Sequence, residues 1–271
     1  MAEARGLFVS FEGIDGSGKS TQGRLLAERL RSTGREVVLT REPGGSPGAE
    51  EIRRLVLTGD RARWSPETEI LLFTAARRDH LEKTIRPALE RGAVVVTDRF
   101  ADSTRLYQGA TRGDLRGLVD RLHELMIGME PDLTVVIDMD PAKALARSFK
   151  RLSDDEKAKA VSFANLASVS KGPEAPALEG RSRSELIEAA NEAARKAVEM
   201  AKSAHALGSA PEAEDRFESF GVPFQEKVRQ GFLDLAREHP ARIMVIDGDC
   251  PESEVAADVA RIALARLGAA P

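Results

Sequence analysis

Short apolar, β-branched runs recur along the chain at 7–12, 36–40, 93–98, 133–138 and 243–247. Between them lie stretches whose apolar residues return every three or four positions, the spacing of a helix face. Ala93-Val94-Val95-Val96-Thr97 and Leu133-Thr134-Val135-Val136-Ile137 are almost free of polar interruptions. A strand that buries one face alternates, so near-continuous runs belong to a parallel sheet covered on both faces. Strands that alternate with helices form right-handed βαβ units. The pattern therefore predicts an α/β fold, a doubly wound parallel sheet of about five strands with helices on both faces. Ligands of such sheets gather at the carboxyl ends of the strands.

The helices carry their own punctuation. Residues 19–33 place Leu25, Leu26 and Leu30 at helical spacing. A longer helix is predicted over 66–91, with Ser65 as N-cap and Pro66 in the first position. Glu67 and Glu69 suit the positive end of its dipole, and Gly92 suits its end. Pro87 is expected to kink its last turn. Residues 152–214 differ, being rich in Ala, Ser, Glu and Lys and broken by Gly172-Pro173 and Pro176. A capping box at Ser182-Arg183-Ser184-Glu185 introduces a weakly amphipathic helix over about 184–207, with a shorter one around 154–168. Neither has enough large apolar residues for a core of its own. The expectation is one domain over 1–271, with 152–214 a mainly helical insertion.

Composition adds limits. Hydrophobic residues make up 42% and charged residues 31% of 271, the balance of a soluble globular chain. The net charge of −4 argues against a nucleic-acid-binding surface. The one cysteine, Cys250, cannot form an intrachain disulfide, which suits a reducing cytoplasm. No apolar stretch is long enough to span a membrane, and no secretory signal precedes the first strand.

The chemistry begins directly after the first strand. Gly13 to Ser20 match the pattern G-x-x-x-x-G-K-[ST], between a strand and a helix as that loop requires. Gly13, Ile14, Asp15, Gly16, Ser17, Gly18, Lys19, Ser20 and Thr21 would wrap the phosphates of a nucleotide with backbone N–H groups. Lys19 would reach the β- and γ-phosphates, and the Ser20 hydroxyl would join Mg²⁺. Thr97-Asp98-Arg99-Phe100 closes the third run. Asp98 there suits a metal-holding carboxylate, and Arg99 suits an anion; taken alone the two also read as a structural ion pair. Arg41, in the turn Thr40-Arg41-Glu42-Pro43-Gly44-Gly45, reads equally as a second phosphate ligand or a solvated loop cation. Phe73 and Arg77 are four apart on one helix face, fit to stack under a base and bond its edge, though apolar helical positions more often serve a core. Arg78 and His80 read as neighbouring surface. Ser103 to Gly109 follow closely, with Tyr107 and Gln108 in a polar, flexible tip suited to closing on a sugar or base, or else a simple loop.

Together these residues resemble the thymidylate kinase family, bacterial type. The carrying motifs are 11–21, Thr-Arg-Glu-Pro-Gly-Gly (40–45), Leu-Leu-Phe-Thr-Ala-Ala-Arg (71–77) and Asp-Arg-Phe-x-x-Ser (98–103). Tyr-Gln-Gly (107–109), Pro-Asp-Leu-Thr (131–134) and Asp-Arg-Phe-Glu (215–218) complete the order. The resemblance implies transfer of the γ-phosphoryl group of Mg-ATP to dTMP, giving dTDP, by a homodimer. It implies that Arg41 and Arg99 hold the dTMP phosphate, that Phe73 stacks on thymine and that Arg77 bonds its edge. Ser103 and Gln108 would lie by base or sugar, Tyr107 by the deoxyribose, and Asp15 between acceptor and metal. Some family members carry an arginine in the glycine loop, where this chain has Gly16 and Ser17. A closing lid would then supply that charge, from Arg147 or Arg151, or from Arg216, Arg181 or Arg183. The segment 152–214 departs from the short lid usual in the family, and a bare surface excursion is an equal reading of it.

Two other readings remain at this stage. One is a kinase for a different nucleoside monophosphate. The other is a P-loop switch or regulator without phosphotransfer. A guanine-reading Asn-Lys-x-Asp is absent from the sequence, and a pure binding module needs no second set of phosphate-facing arginines.

Overall fold

The computed structural model describes residues 6–58, 63–110, 113–151 and 222–268. The helices expected at 154–168 and 184–207, and Arg181, Arg183 and Arg216, lie outside these. The elements are β1 (Phe8–Glu12), α1 (Lys19–Ser32), β2 (Val37–Arg41), α2 (Pro47–Leu57), α3 (Pro66–His80), α4 (Arg86–Glu90), β3 (Val94–Asp98) and α5 (Ala101–Thr104). They continue with α6 (Arg116–Met126), β4 (Leu133–Asp138), α7 (Pro141–Arg151), α8 (Val222–Glu238), β5 (Ile243–Asp247) and α9 (Glu252–Gly268). Five strands form one parallel sheet in the order β2-β3-β1-β4-β5. All five fall where the apolar runs predicted them.

The central strands β1, β3 and β4 are buried nearly throughout, whereas β2 and β5 at the edges alternate with exposed residues. Their sequences differ accordingly. Val9, Phe11, Val94, Val96, Val135 and Ile137 face α1 and α9 and pack with Leu26, Leu30, Val255 and Val259. The intervening positions face the other side. There Phe8 and Val95 meet Leu81, Ile85 and Leu89, and Val136 meets Val228 and Phe232 of α8. The same alternation sends Ser10 and Glu12 to this second face. Ser10 and Thr134 share a hydrogen bond of 2.9 Å between adjacent strands.

Ser65 caps α3 as expected, accepting from Thr68 N at 3.2 Å. Pro87 does not break the helix. Leu81–Ile85 form one π-helical turn, in which Arg86 N donates to Leu81 O, and α4 follows. The wider turn ahead of the proline absorbs its missing donor without a stop. Gly92 N and Ala93 N then donate to Leu89 O and Ala88 O and end the run. A second π-helical segment, Arg105–Ala110, continues α5. The loop reading of 103–109 is thus corrected, because this stretch is helical and buried. Arg105 fastens it, reaching Asp102 and Asp120 at 2.7 Å and Glu130 at 2.5 Å. Arg242, before β5, holds Asp102 at 2.7 Å from the other side.

Candidate active site

The loop between β1 and α1 turns at Gly13, Gly16 and Gly18, all with positive φ. Gly16 is the most constrained. At φ +81°, an added Cβ would lie 2.0 Å from the carbonyl oxygen of Ala144 on α7. A side chain at position 16 therefore collides with backbone, so this loop cannot carry an arginine there. Arg147 lies one turn along α7 from Ala144, exposed, with Nη1 donating to Gly248 O at 3.2 Å. The start of α7 thus lies against the loop at Ala144, with the Arg147 guanidinium held at Gly248. The side chain of Arg151 is outside the described set.

Lys19 is buried and donates to Ile14 O at 2.7 Å. Burial, reinforced by the nearby Arg99 guanidinium, brings its ammonium down to about 8. Asp15 lies 4.0 Å away. Ser20 Oγ donates to Asp98 Oδ2, across from α1 to the end of β3. A hydroxyl and a carboxylate side by side are hard oxygen donors of the kind Mg²⁺ takes together with phosphate oxygens and water. Among the described residues no cluster of three or more His, Cys, Asp or Glu offers a metal site made of protein alone.

Arg99 joins the parts. It is the one non-glycine residue with positive φ among those described, at +71°. This backbone turn sends its side chain back over the P-loop, where Nη1 donates to Gly13 O at 3.3 Å and to Ser103 Oγ at 2.8 Å. Nη2 pairs with Asp15 and lies 3.4 Å from Tyr107 Oη, and the guanidinium sits 4.9 Å from the Tyr107 ring centre. Tyr107 Oη in turn donates to Asp15 Oδ2 at 3.1 Å. Burial pushes the Asp15 carboxyl up, but Arg99 and Lys19 more than offset it and leave it below the usual range. Burial pushes the Tyr107 phenol well up, against the pull of Arg99, so it stays protonated.

Under this cluster lies Glu12, which the sequence reading did not single out. It is fully buried, accepting from Phe100 N at 2.7 Å and Ser103 Oγ at 2.6 Å. It thus holds the chain directly after Arg99. Burial and the neighbouring Asp102 raise its carboxyl to about 7, against the pull of Arg99 and the two hydrogen bonds. The signal was a charged residue ending a buried strand in phase with Phe8 and Ser10.

The second half of the site is built on α3. Arg77 is buried, its Nε donating to Glu42 Oε2 at 2.7 Å and its Nη2 to Thr104 Oγ1 at 2.9 Å. Its guanidinium lies 5.1 Å from the Phe100 ring centre. Arg77 is therefore one residue removed from Ser103 and the Arg99 network. Phe73 is mostly buried and packs with Val56 and Leu57 of α2. Gln108 is buried beside Tyr107, and Phe224 of α8 meets the Tyr107 ring edge-on at 5.9 Å. Arg41 stands apart, exposed and paired with Glu50 at 3.2 Å. His80 corrects the surface reading of that position. It is fully enclosed between Thr40 Oγ1 at 2.8 Å and Glu42 Oε1 at 3.0 Å, whereas Arg78 is on the surface. Helix period alone could not reveal this, because the burying group comes from the β2 turn.

The fold and the site define a P-loop nucleotide-binding protein, one whose phosphate loop is joined through an arginine to a second set of polar side chains beyond the end of β3. A family model described as thymidylate kinase matches residues 11–171. Thymidylate kinases of Dinoroseobacter shibae and Ruegeria pomeroyi are 56% and 53% identical to this chain, over 94% and 97% of it and 94% and 96% of their own lengths. A crystal structure of thymidylate kinase from Ehrlichia chaffeensis superposes with a TM-score of 0.61 at 29% identity, covering 96% of this chain and 99% of that one. The chain belongs to the thymidylate kinase family. Matches over 97% of the chain leave no room for 152–214 to fall outside them, so the stretch lies within the span shared with these relatives.

Proposed function

We propose that the cluster around Arg99 is where phosphoryl transfer takes place. As a member of its family the chain phosphorylates dTMP to dTDP with ATP as donor. The observation that carries the site reading is Arg99, which touches the P-loop carbonyl of Gly13, Asp15 and Ser103 at once. One partly buried cation thereby spans the donor side and the acceptor side.

The acceptor is a phosphate monoester with a second pKa near ~6, so it is largely dianionic at neutral pH. It needs no general base. The obstacle is repulsion between two anions. Lys19 and the loop N–H groups from Gly13 to Thr21 hold the ATP phosphates, and Arg99 holds the dTMP phosphate against them. Asp15 and Tyr107 keep Arg99 in place through the contacts described above. Arg41 is a second phosphate ligand, for which an incoming phosphate competes with Glu50. Phe73, Arg77, Ser103, Tyr107 and Gln108 surround base and sugar. Arg147 and Arg151 on α7 supply positive charge from the lid side. Ser20 and Asp98 suit Mg²⁺, which when bound offsets charge on the transferring phosphates.

The test is coupled ADP production with Mg-ATP against dTMP, dUMP, dCMP, dGMP and AMP. A strong preference for dTMP is expected, with activity lost in EDTA and restored by added Mg²⁺. Arg99→Ala should reduce kcat by roughly 10³-fold or more. Turnover within a few-fold of wild type in that variant would overturn the site reading.

We further propose a homodimer in the cytoplasm. The free Cys250 suits that compartment. Leu71 on α3 and Leu118, Leu125 and Met126 on α6 are exposed large apolar side chains on two touching helices, which favours a second copy as their cover.

A further inference from the structure

Thr40, Glu42, Arg77 and His80 form an unbroken hydrogen-bonded chain between the β2 turn and α3, buried from His80 to Arg77. Thr40 Oγ1 meets His80 Nε2 at 2.8 Å, His80 Nδ1 meets Glu42 Oε1 at 3.0 Å, and Glu42 Oε2 accepts from Arg77 Nε at 2.7 Å. None of the four Arg77, Glu42, His80 or Thr40 is exposed, and His80 has no exposed surface at all. The turn is fitted to the chain. A Cβ at Gly45 would lie 2.3 Å from both His80 Nε2 and Thr40 Oγ1, so only glycine lets the backbone pass over that contact. With Thr104 holding Nη2, two of the three guanidinium nitrogens of Arg77 are fixed by protein. Among the described residues Nη1 makes no such bond, so it is the nitrogen left for a ligand.

We propose that Glu42 is a positioning residue for nucleobase recognition, and that His80 acts through it by fixing the carboxylate that orients Arg77. This rests on the reading of Arg77 as the group that bonds the thymine edge. A guanidinium is planar and bonds in a fixed fork, so locking Nε and one Nη sets the direction of the other Nη. Burial pushes the Glu42 carboxyl up, but the charge of Arg77 and the hydrogen bond from His80 more than offset it, so the pair stays ionic. One turn thereby serves two purposes, offering Arg41 to phosphate and orienting Arg77.

Steady-state kinetics of Glu42→Gln, His80→Leu, His80→Asn, Arg77→Ala and the double variant Arg77→Ala/Glu42→Gln test this. Glu42→Gln should raise KM for dTMP by roughly 10-fold while KM for ATP and kcat stay within about 3-fold. His80→Leu should do the same in smaller measure. His80→Asn, which keeps a donor toward Glu42, should restore most of the loss. The double variant should have the dTMP KM of Arg77→Ala alone, because once Arg77 is gone its orienting partner has nothing to act on. Additive losses in the double variant would overturn the inference, as would an unchanged dTMP KM in Glu42→Gln. An unchanged dTMP KM in Arg77→Ala itself would overturn the base reading and the inference with it. If His80→Leu does not fold, Glu42→Gln and the double variant still decide.

Discussion

At the scale of single residues, burial sets the charge states within the cluster around Arg99. Lys19 has its ammonium held down to about 8 by burial and by Arg99, a state that nucleotide phosphates would reverse. Lys19→Ala should cut kcat by roughly 10²–10³-fold, as removal of one charge-stabilising donor does elsewhere. Wild-type turnover would show that the loop does not hold the transferring phosphate. Glu12 provides a separate check by pH. Its folded carboxyl is raised to about 7 from an ordinary value of 4.5, so the folded chain binds this proton more tightly than the unfolded chain. The Glu12 contribution is therefore fully present below pH 4.5 and is lost as pH rises through 7, by something on the order of 3 kcal/mol. Denaturant unfolding of wild type and Glu12→Gln across pH 4 to 8 measures it. The wild type should lose stability relative to the variant between those two values, and a constant difference would mean that folding does not shift the Glu12 carboxyl.

At the scale of elements, α7 and the π-helical segment Arg105–Ala110 border the site. The carbonyl of Ala144 closes position 16 of the loop, so no side chain fits there, and Arg147 stands one turn further along α7. Gly16→Ala should cost more than about 1–2 kcal/mol, since a left-handed residue is strained and its Cβ meets backbone as well. Thermal melting with and without ATP would read this as a lower midpoint and a smaller ATP-induced rise. An unchanged ATP-induced rise would mean that α7 moves aside. The glycine pattern and both flanking elements were legible because they depend on local spacing. The π-helical turn at Arg105–Ala110 was not, because its register is held by Asp102, Asp120 and Glu130, and by Tyr107 against Phe224. Those contacts come from other elements, and a run of Tyr-Gln-Gly reads locally as a turn.

At the scale of the whole molecule, the sheet order brings the site together. β1 at the centre puts the P-loop between the ends of β3 and β4, and β2 beyond β3 puts the Thr40–Gly45 turn against α3. The exposed apolar residues on α3 and α6 carry the prediction at this scale. Light scattering at micromolar concentration should give twice the chain mass, and Leu125→Arg should shift it toward the monomer. A monomer in the wild type would remove the dimer from the account.

The sequence by itself determined the five strands, the helix faces that cover them, the phosphate loop and the family of motifs that identify the chain. Each of these rests on neighbours within a few residues, or on periodicity that backbone geometry imposes. Only the tertiary structure decided which charges meet. Glu12 and Ser103 are 91 residues apart, Arg99 and Asp15 are 84 apart, and Arg77 and Glu42 are 35 apart. Whether such groups form a pair follows from strand order and register, and no local pattern encodes either. Burial then fixed what those charges do. A carboxylate facing water is ordinary, while one enclosed at the end of a central strand must find donors, and the donors Glu12 found hold the turn that carries Arg99.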